Sequence, residues 1–158
     1  MADSNLHELS KRGQSVWIDS LSRTMLDSGD LARLMKEDAV VGVTTNPTIF
    51  QKAMSEGGAY DEQLKELPSE ETDPKEIFLQ LSARDVEEAL ELLAKVHESQ
   101  PEDGFVSWEV DPTLAYDREA TFDEAMRLHA WLDRPNLYVK IPATKPGLGA
   151  IEDCIANG

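Results

Sequence analysis

Short apolar runs alternate along this chain with longer stretches in which apolar residues recur at helical spacing. Ser15 to Asp19 (SVWID), Ala39 to Val43 (AVVGV), Phe105 to Val110 (FVSWEV) and Leu137 to Ile141 (LYVKI) are rich in β-branched and aromatic residues, and each reads as a strand. Leu21, Leu26, Leu31 and Leu34 predict an amphipathic helix with a break near Ser28-Gly29. Asn46 is placed to cap a helix beginning at Pro47: its side-chain oxygen can take an orphan N–H, and proline has no N–H to lose. Gly57-Gly58 ends that helix, and Pro68 to Pro74 (PSEETDP) reads as a surface loop between two further helical pieces. Val86, Ala89, Leu90, Leu93 and Val96 give helical spacing from Ala83 to Val96, with Ser82 and Asp85 as a capping pair. The turn Pro101 to Gly104 leads into the third strand. Thr121 and Glu124 then form a capping box for a helix carrying Phe122, Ala125, Met126, His129 and Leu132, and Gly147 to Ile155 reads as a last helix.

Strands alternating with helices in this way predict an α/β fold with a parallel sheet, whose sites lie at the C-terminal ends of the strands. The unusual polar residues fall at those ends. Asp19 ends the first strand, Thr44, Thr45 and Asn46 end the second, Glu109 is on the third and Lys140 on the fourth. Each has an ordinary explanation: Asp19 and Asn46 can be helix caps, Glu109 can point to solvent, and Lys140 can carry its charge clear of the strand on a long stem. Together they place an acid, a base, amide and hydroxyl groups and an amine around one rim. That set suits imine chemistry, which needs a neutral amine and protons moved on and off a carbinolamine. A lysine kept dry by a sheet covered on both faces loses part of its preference for the charged form, and so supplies such an amine.

Composition narrows the partners. The chain has 158 residues, enough for one domain with a real core, and is 41% hydrophobic. Its formal net charge of -16 argues against nucleic acid or an anionic membrane as a partner, since both need a basic face. Local cations can still hold a phosphorylated metabolite. Cys154 is the single cysteine, which fits a reducing compartment. The N-terminal MADSNLHELSKRG has no apolar signal core and no run approaches a membrane span, so a cytoplasmic location is expected.

Gly42 to Phe50 (GVTTNPTIF) resembles the first signature of the transaldolase family, and Leu137 to Ile151 (LYVKIPATKPGLGAI) resembles its second, around the Schiff-base lysine. Trp17 to Ser20 and Val106 to Asp117 (VSWEVDPTLAYD) match as well, closest to bacterial forms with a longer insertion between strands two and three. Two long motifs in the right order on a fitting alternation make the likeness specific. The resemblance implies a (β/α)8 barrel. It also implies transfer of a dihydroxyacetone unit from sedoheptulose 7-phosphate to glyceraldehyde 3-phosphate, a step of the pentose phosphate pathway. By the same resemblance Lys140 forms the imine, Asp19 takes the hydroxyl proton during carbon–carbon cleavage, and Glu109 acts through a water on the carbinolamine and imine steps. Asn46 binds the substrate's hydroxyls and Thr44 supports the site. No metal or organic cofactor is implied, because the iminium is itself the electron sink.

A barrel of this kind takes about 250 residues, and four strands account for this sequence. Residues 1–158 are therefore expected to be the N-terminal half of a single barrel, with a helical insertion at about 55–98 between strands two and three. The substrate contacts of later strands and the phosphate-binding arginines lie outside this half; Arg118, Arg127 and Arg134 lie on or beside the helix after strand three. Open sheet edges give such a half a route to self-association. Val16, Ile18, Val41, Val43, Phe105, Val139 and Ile141 sit on strands meant to be covered on both sides, and some are expected to lose cover. Two other readings are a catalytically incompetent fragment or assembly half, and a related Schiff-base fructose 6-phosphate aldolase.

Overall fold

The computed structural model describes residues 4–68 and 73–158. Its centre is an all-parallel sheet of β1 (Val16–Ile18), β2 (Val40–Thr44), β3 (Phe105–Glu109) and β4 (Leu137–Lys140), ordered β1-β2-β3-β4. Between and around the strands run α1 (Asn5–Lys11), α2 (Arg23–Asp27), α3 (Asp30–Glu37), α4 (Pro47–Ser55), α5 (Asp61–Glu66), α6 (Pro74–Ser99), α7 (Arg118–Leu132) and α8 (Lys145–Ala156), with a 3-10 turn at Pro112–Leu114. Strand order equal to chain order, with helical crossovers, is the winding of successive βα units in a barrel.

Local chemistry sets several boundaries. Ala39 has φ +54°, which a strand does not accommodate, so β2 starts at Val40 rather than at Ala39. Gly29 at φ +75° makes the expected break between α2 and α3. Asn46 caps α4 as expected, its Oδ1 accepting from Ile49 N at 3.0 Å.

Two expected caps are corrected. The Ala83 to Val96 stretch is the middle of α6, which Asp73 caps by accepting from Lys75 N. Ser82 instead donates to Leu79 O inside the helix, and Asp85, with no solvent exposure, pairs with Arg23. Likewise α7 begins at Arg118 under an Asp117 cap. Thr121 there donates to Leu114 O at 2.7 Å and Glu124 binds Arg127. In both cases the helix extends N-terminally on residues whose polar side chains hid its start, and a Ser/Thr-x-x-acid spacing inside a helix serves other bonds. The expected loop at Pro68 to Pro74 falls partly on residues 69–72, outside the described residues.

The alternation of side chains separates the sheet's faces. Val43, Val106, Trp108 and Leu137 turn onto the helices, where they join Leu31, Phe50, Val86, Leu90, Leu93 and Leu128 in the core. Burying each of these larger side chains stabilises the fold by about 1.5–3 kcal/mol. The other face carries Trp17, Gly42, Thr44, Phe105, Ser107, Glu109, Tyr138 and Lys140, matched by the register Trp17↔Gly42↔Phe105 and Ser107↔Tyr138. A Cβ on Gly42 would overlap the Trp17 indole, and the Phe105 and Tyr138 rings stack at 4.0 Å. Of the strand residues expected to lose cover, Val43 and Phe105 are buried, while Val16, Ile18, Val41, Val139 and Ile141 are half-buried. Ile18, Val139 and Ile141 nonetheless pack against the helix-covered core, so the open side is chiefly aromatic and polar.

A buried polar cluster fastens α2 and α5 to α6. Arg23 Nε pairs with the Asp85 carboxylate, its Nη2 donates to Gln63 Oε1 at 2.6 Å, and Tyr60 donates its hydroxyl to Asp85 Oδ2 at 2.7 Å. Burial pushes the Asp85 carboxyl above its ordinary range, against the pull of Tyr60 and Arg23. Burial and the neighbouring carboxylate raise Tyr60 as well.

Candidate active site

The C-terminal ends of β2, β3 and β4 bring together a lysine, a glutamate and a bound main-chain carbonyl. Glu109 and Lys140 are direct partners in the β3–β4 register, so both side chains rise from the face turned away from the helix-packed core. Lys140 Nζ lies 3.0 Å from Glu109 Oε2 and donates to Thr45 O at 2.5 Å. The lysine side chain is 36% exposed and the glutamate 16%, so the amine is not in the dry setting the sequence suggested. It is held by acceptors on β3 and just past the end of β2 instead.

The remaining expected residues occupy the same rim with different neighbours. Thr44 ends β2, half-buried, opposite Ser107. Asn46 lies two residues on; the cap to α4 uses its side-chain carbonyl oxygen, so its amide donors are not spent there. Asp19 is exposed just beyond β1, and two strands separate it from β4. Three inter-strand spacings amount to about 14 Å along the sheet, so Asp19 is not brought to Lys140 as Glu109 is. Arg118, Arg127 and Arg134 are engaged on the outside, with Asp153, with Glu124 and Glu76, and with Glu87 and Glu91 respectively.

Three features were not anticipated: the bonding of Thr45, already named at the end of the second strand, the place of Ser107, and a cleft beside Glu109. Thr45, adjacent to Thr44 but turned to the other face, is fully buried and bonds Ser107 O through both its hydroxyl and its N–H. Ser107 lies two residues before Glu109, and period-two alternation was the available signal that it shares Glu109's face. Beside the glutamate a cleft of about 420 Å³ is lined by Pro47, Phe78, Leu79, Glu109, Pro112 and Leu114, among others. Its edge is fixed by Lys75, whose Nζ meets Asp111 Oδ2 at 2.5 Å and Thr113 Oγ1 at 3.0 Å. Among the described residues no group of three or more His, Cys, Asp or Glu side chains is arranged to hold a metal ion. No helix among them is long and apolar enough to cross a membrane.

A parallel βα sheet wound in chain order, with an amine and a carboxylate on paired positions at its C-terminal rim, is an α/β architecture of the barrel type. The family model described as transaldolase/fructose-6-phosphate aldolase matches residues 16–158, and the chain belongs to that family. It is 49% identical over 156 residues to a transaldolase of Saccharopolyspora erythraea, covering 99% of this chain and 42% of the relative. With a transaldolase of Mycolicibacterium smegmatis it shares 50% identity over 155 residues, 98% of this chain and 42% of the relative. Transaldolase 2 of Streptomyces avermitilis is 47% identical over 155 residues, 97% and 41% respectively. The chain thus spans about two fifths of the length of the curated relatives it matches.

Proposed function

We propose that the chain supplies the imine-forming part of a transaldolase, with Lys140 as the Schiff-base residue. The single observation that carries this reading is the Lys140–Glu109 pair at the strand ends, inside a chain of the transaldolase family. The Lys140 amine adds to the C2 carbonyl of a ketose phosphate, and Glu109, through a water, moves the protons that release hydroxide as water and leave an iminium. Asp19 takes the proton of the C4 hydroxyl as the C3–C4 bond breaks. The bonding pair is stored in the enamine and erythrose 4-phosphate departs when sedoheptulose 7-phosphate is the donor. The enamine then attacks the carbonyl of glyceraldehyde 3-phosphate, and hydrolysis returns the amine and fructose 6-phosphate. Asn46 holds substrate hydroxyls and Thr44 braces the rim. The electron sink is made from lysine and substrate, so the step draws on no cofactor and no metal.

On this reading residues 1–158 are the N-terminal half of one barrel, α5 and α6 belong to a helical insertion at about 55–98, and the protein works on sugar phosphates in the cytoplasm. The shared length with the relatives supports the first point. For Asp19, closure of a full barrel is what would bring the β1 end round toward β4.

The test joins this chain to the remaining portion of the Saccharopolyspora erythraea relative. Borohydride added with fructose 6-phosphate should reduce an imine on the Lys140 peptide of this chimaera, and Lys140→Ala should abolish the adduct. An adduct on another lysine sinks the assignment. Release of free dihydroxyacetone without transfer to an aldehyde acceptor would favour the aldolase reading instead.

A further inference from the structure

Thr45 stands between β2 and α4, where the main chain leaves one ladder and has not entered the next. Its N–H continues the β2–β3 ladder to Ser107 O at 3.0 Å, and its hydroxyl donates to the same carbonyl at 2.9 Å. The carbonyl of Asn46, one residue on, accepts the first N–H groups of α4, from Ile49 and Phe50. The Thr45 carbonyl therefore belongs to neither element and needs a partner of its own. Lys140 Nζ supplies it at 2.5 Å, from a strand two places away in the sheet.

We infer that Thr45 is a positioning residue for Lys140, acting through its own main-chain carbonyl; the inference rests on the imine role proposed above. A lysine stem has four rotatable carbons, and one ion pair to Glu109 leaves its head free to swing about the carboxylate. The second acceptor, on the other side of β3, fixes Nζ over the ends of β2 and β3, where a substrate carbonyl can be met in line. The carbonyl can serve only if it does not move. The fully buried Thr45 hydroxyl provides that rigidity by doubling the bond to Ser107. A threonine is suited to the task because its short, branched side chain fits a fully buried position while its hydroxyl reaches the neighbouring strand.

Trace acetylation of the 158-residue chain measures this hold without requiring turnover. The reagent attacks amines that are free of their hydrogen-bond partners, and mass spectrometry gives the ratio of Lys140 to Lys52 modification. Lys52 is a fitting reference because 75% of its side chain is exposed. Thr45→Val keeps the shape and removes the hydroxyl; it should raise the ratio about threefold or more, the scale of one modest hydrogen bond. Thr45→Ser keeps the hydroxyl and should stay near the wild-type ratio. An unchanged ratio in Thr45→Val, or an equal rise in both variants, overturns the inference. If circular dichroism shows that Thr45→Val does not fold, the wild-type chain decides. A through-bond coupling between Lys140 15Nζ and the Thr45 carbonyl carbon supports the anchor, and its absence overturns it. Should borohydride trapping in the chimaera fail while the ratios behave as expected, the imine reading falls and the anchor stands.

Discussion

Glu109 Oε2 stands 3.0 Å from Lys140 Nζ across two positions that are direct partners in the β3–β4 register. The ladder fixes this relationship before any side chain chooses a rotamer: Val110 N donates to Lys140 O at 3.1 Å, locking the two strand ends together. In a parallel sheet, register partners share a face, so acid and amine meet wherever the ladder is intact. A one-residue slip would send one of them into the helix-covered core, where an unpaired charge is costly. The fold thus protects the pair through the hydrophobic side chains between which it alternates, Trp108 and Val139.

Removing the carboxylate tests what that proximity accomplishes. Glu109→Gln in the chimaera should slow turnover by about 10² or more, the usual scale for a positioned acid or base. Asp19→Ala should do the same, although Asp19 lies across the sheet, because the reading requires barrel closure to bring it in. Near wild-type turnover in both would reduce them to structural residues.

The four strands were legible because strand-type composition and turn residues bracket them, and the rim residues followed from their places at strand ends. The starts of α6 and α7 were misread where a serine or threonine precedes an acidic residue by three positions. Asp85 has its true partner, Arg23, 62 residues away in sequence, and no local pattern reports that. Thr45 was legible as a polar residue at the end of the second strand, but its hold on Lys140 is a backbone carbonyl, which every residue has, and leaves no mark in the sequence. The exposure of Lys140 depends on what covers the face turned away from the helix-packed core, a tertiary matter beyond the reach of its neighbours in sequence.

The buried Arg23–Asp85 pair should be a point of fragility. Asp85→Ala leaves the Arg23 guanidinium uncompensated in the interior and should cost about 3–5 kcal/mol, read as a lower midpoint in urea. Tyr60→Phe removes one hydrogen bond to Asp85 and one acceptor for Arg23 N, and should cost about 1–2 kcal/mol. Equal, small losses in both would show that the cluster is not the clasp of α2 and α5 on α6.

Gly42→Ala tests the approach of β1 to β2. The added Cβ meets the Trp17 indole, whose displacement breaks into the Trp17↔Gly42 register on the face turned away from the helix-packed core. Overpacking of this kind costs about 1–3 kcal/mol, and Trp17 fluorescence should shift with it. A variant with wild-type stability and emission would mean that the indole moves freely.

The Lys75–Asp111 pair, which ties the start of α6 to the loop after β3, should respond to pH. Burial alone would raise the Asp111 carboxyl, but the Lys75 ammonium and the Thr113 donors outweigh it and hold it below the ordinary range; Asp111 in turn raises Lys75. The contribution of a depressed carboxyl is present above its unfolded value, about 3.9, and is lost as pH falls through the folded value. The contribution of a raised lysine is present below about 10.4 and is lost as pH rises through the folded value. The tie should therefore hold across the neutral range and open at both ends. Carboxyl-carbon NMR of Asp111 checks the acid limb; titration at or above the ordinary aspartate value would remove the tie.

The free 158-residue chain should self-associate, and salt should promote it. Strands β1 and β4 are the outer strands of the sheet, and an outer strand presents backbone N–H and C=O groups to any passing strand. On β4 itself Tyr138 is 50% exposed, and α8 turns Leu148 and Ile155 outward at 58% and 75%. These two lie seven residues apart and so on one side of the helix, making an apolar stripe beside an open edge. Opposing association is the net charge of -16, since two copies repel at long range. Raising ionic strength from about 0.01 M to about 0.15 M shortens the screening length from roughly 30 Å to 8 Å and removes most of that repulsion. Light scattering should accordingly show mass growing with salt, and Tyr138→Glu, which adds charge of the chain's own sign at the edge, should suppress the growth. The same exposure leaves Lys140 wetted, so the free chain should turn over at least about a hundredfold more slowly than the chimaera. A monodisperse monomer at both salt concentrations, with turnover near that of the chimaera, would overturn this expectation.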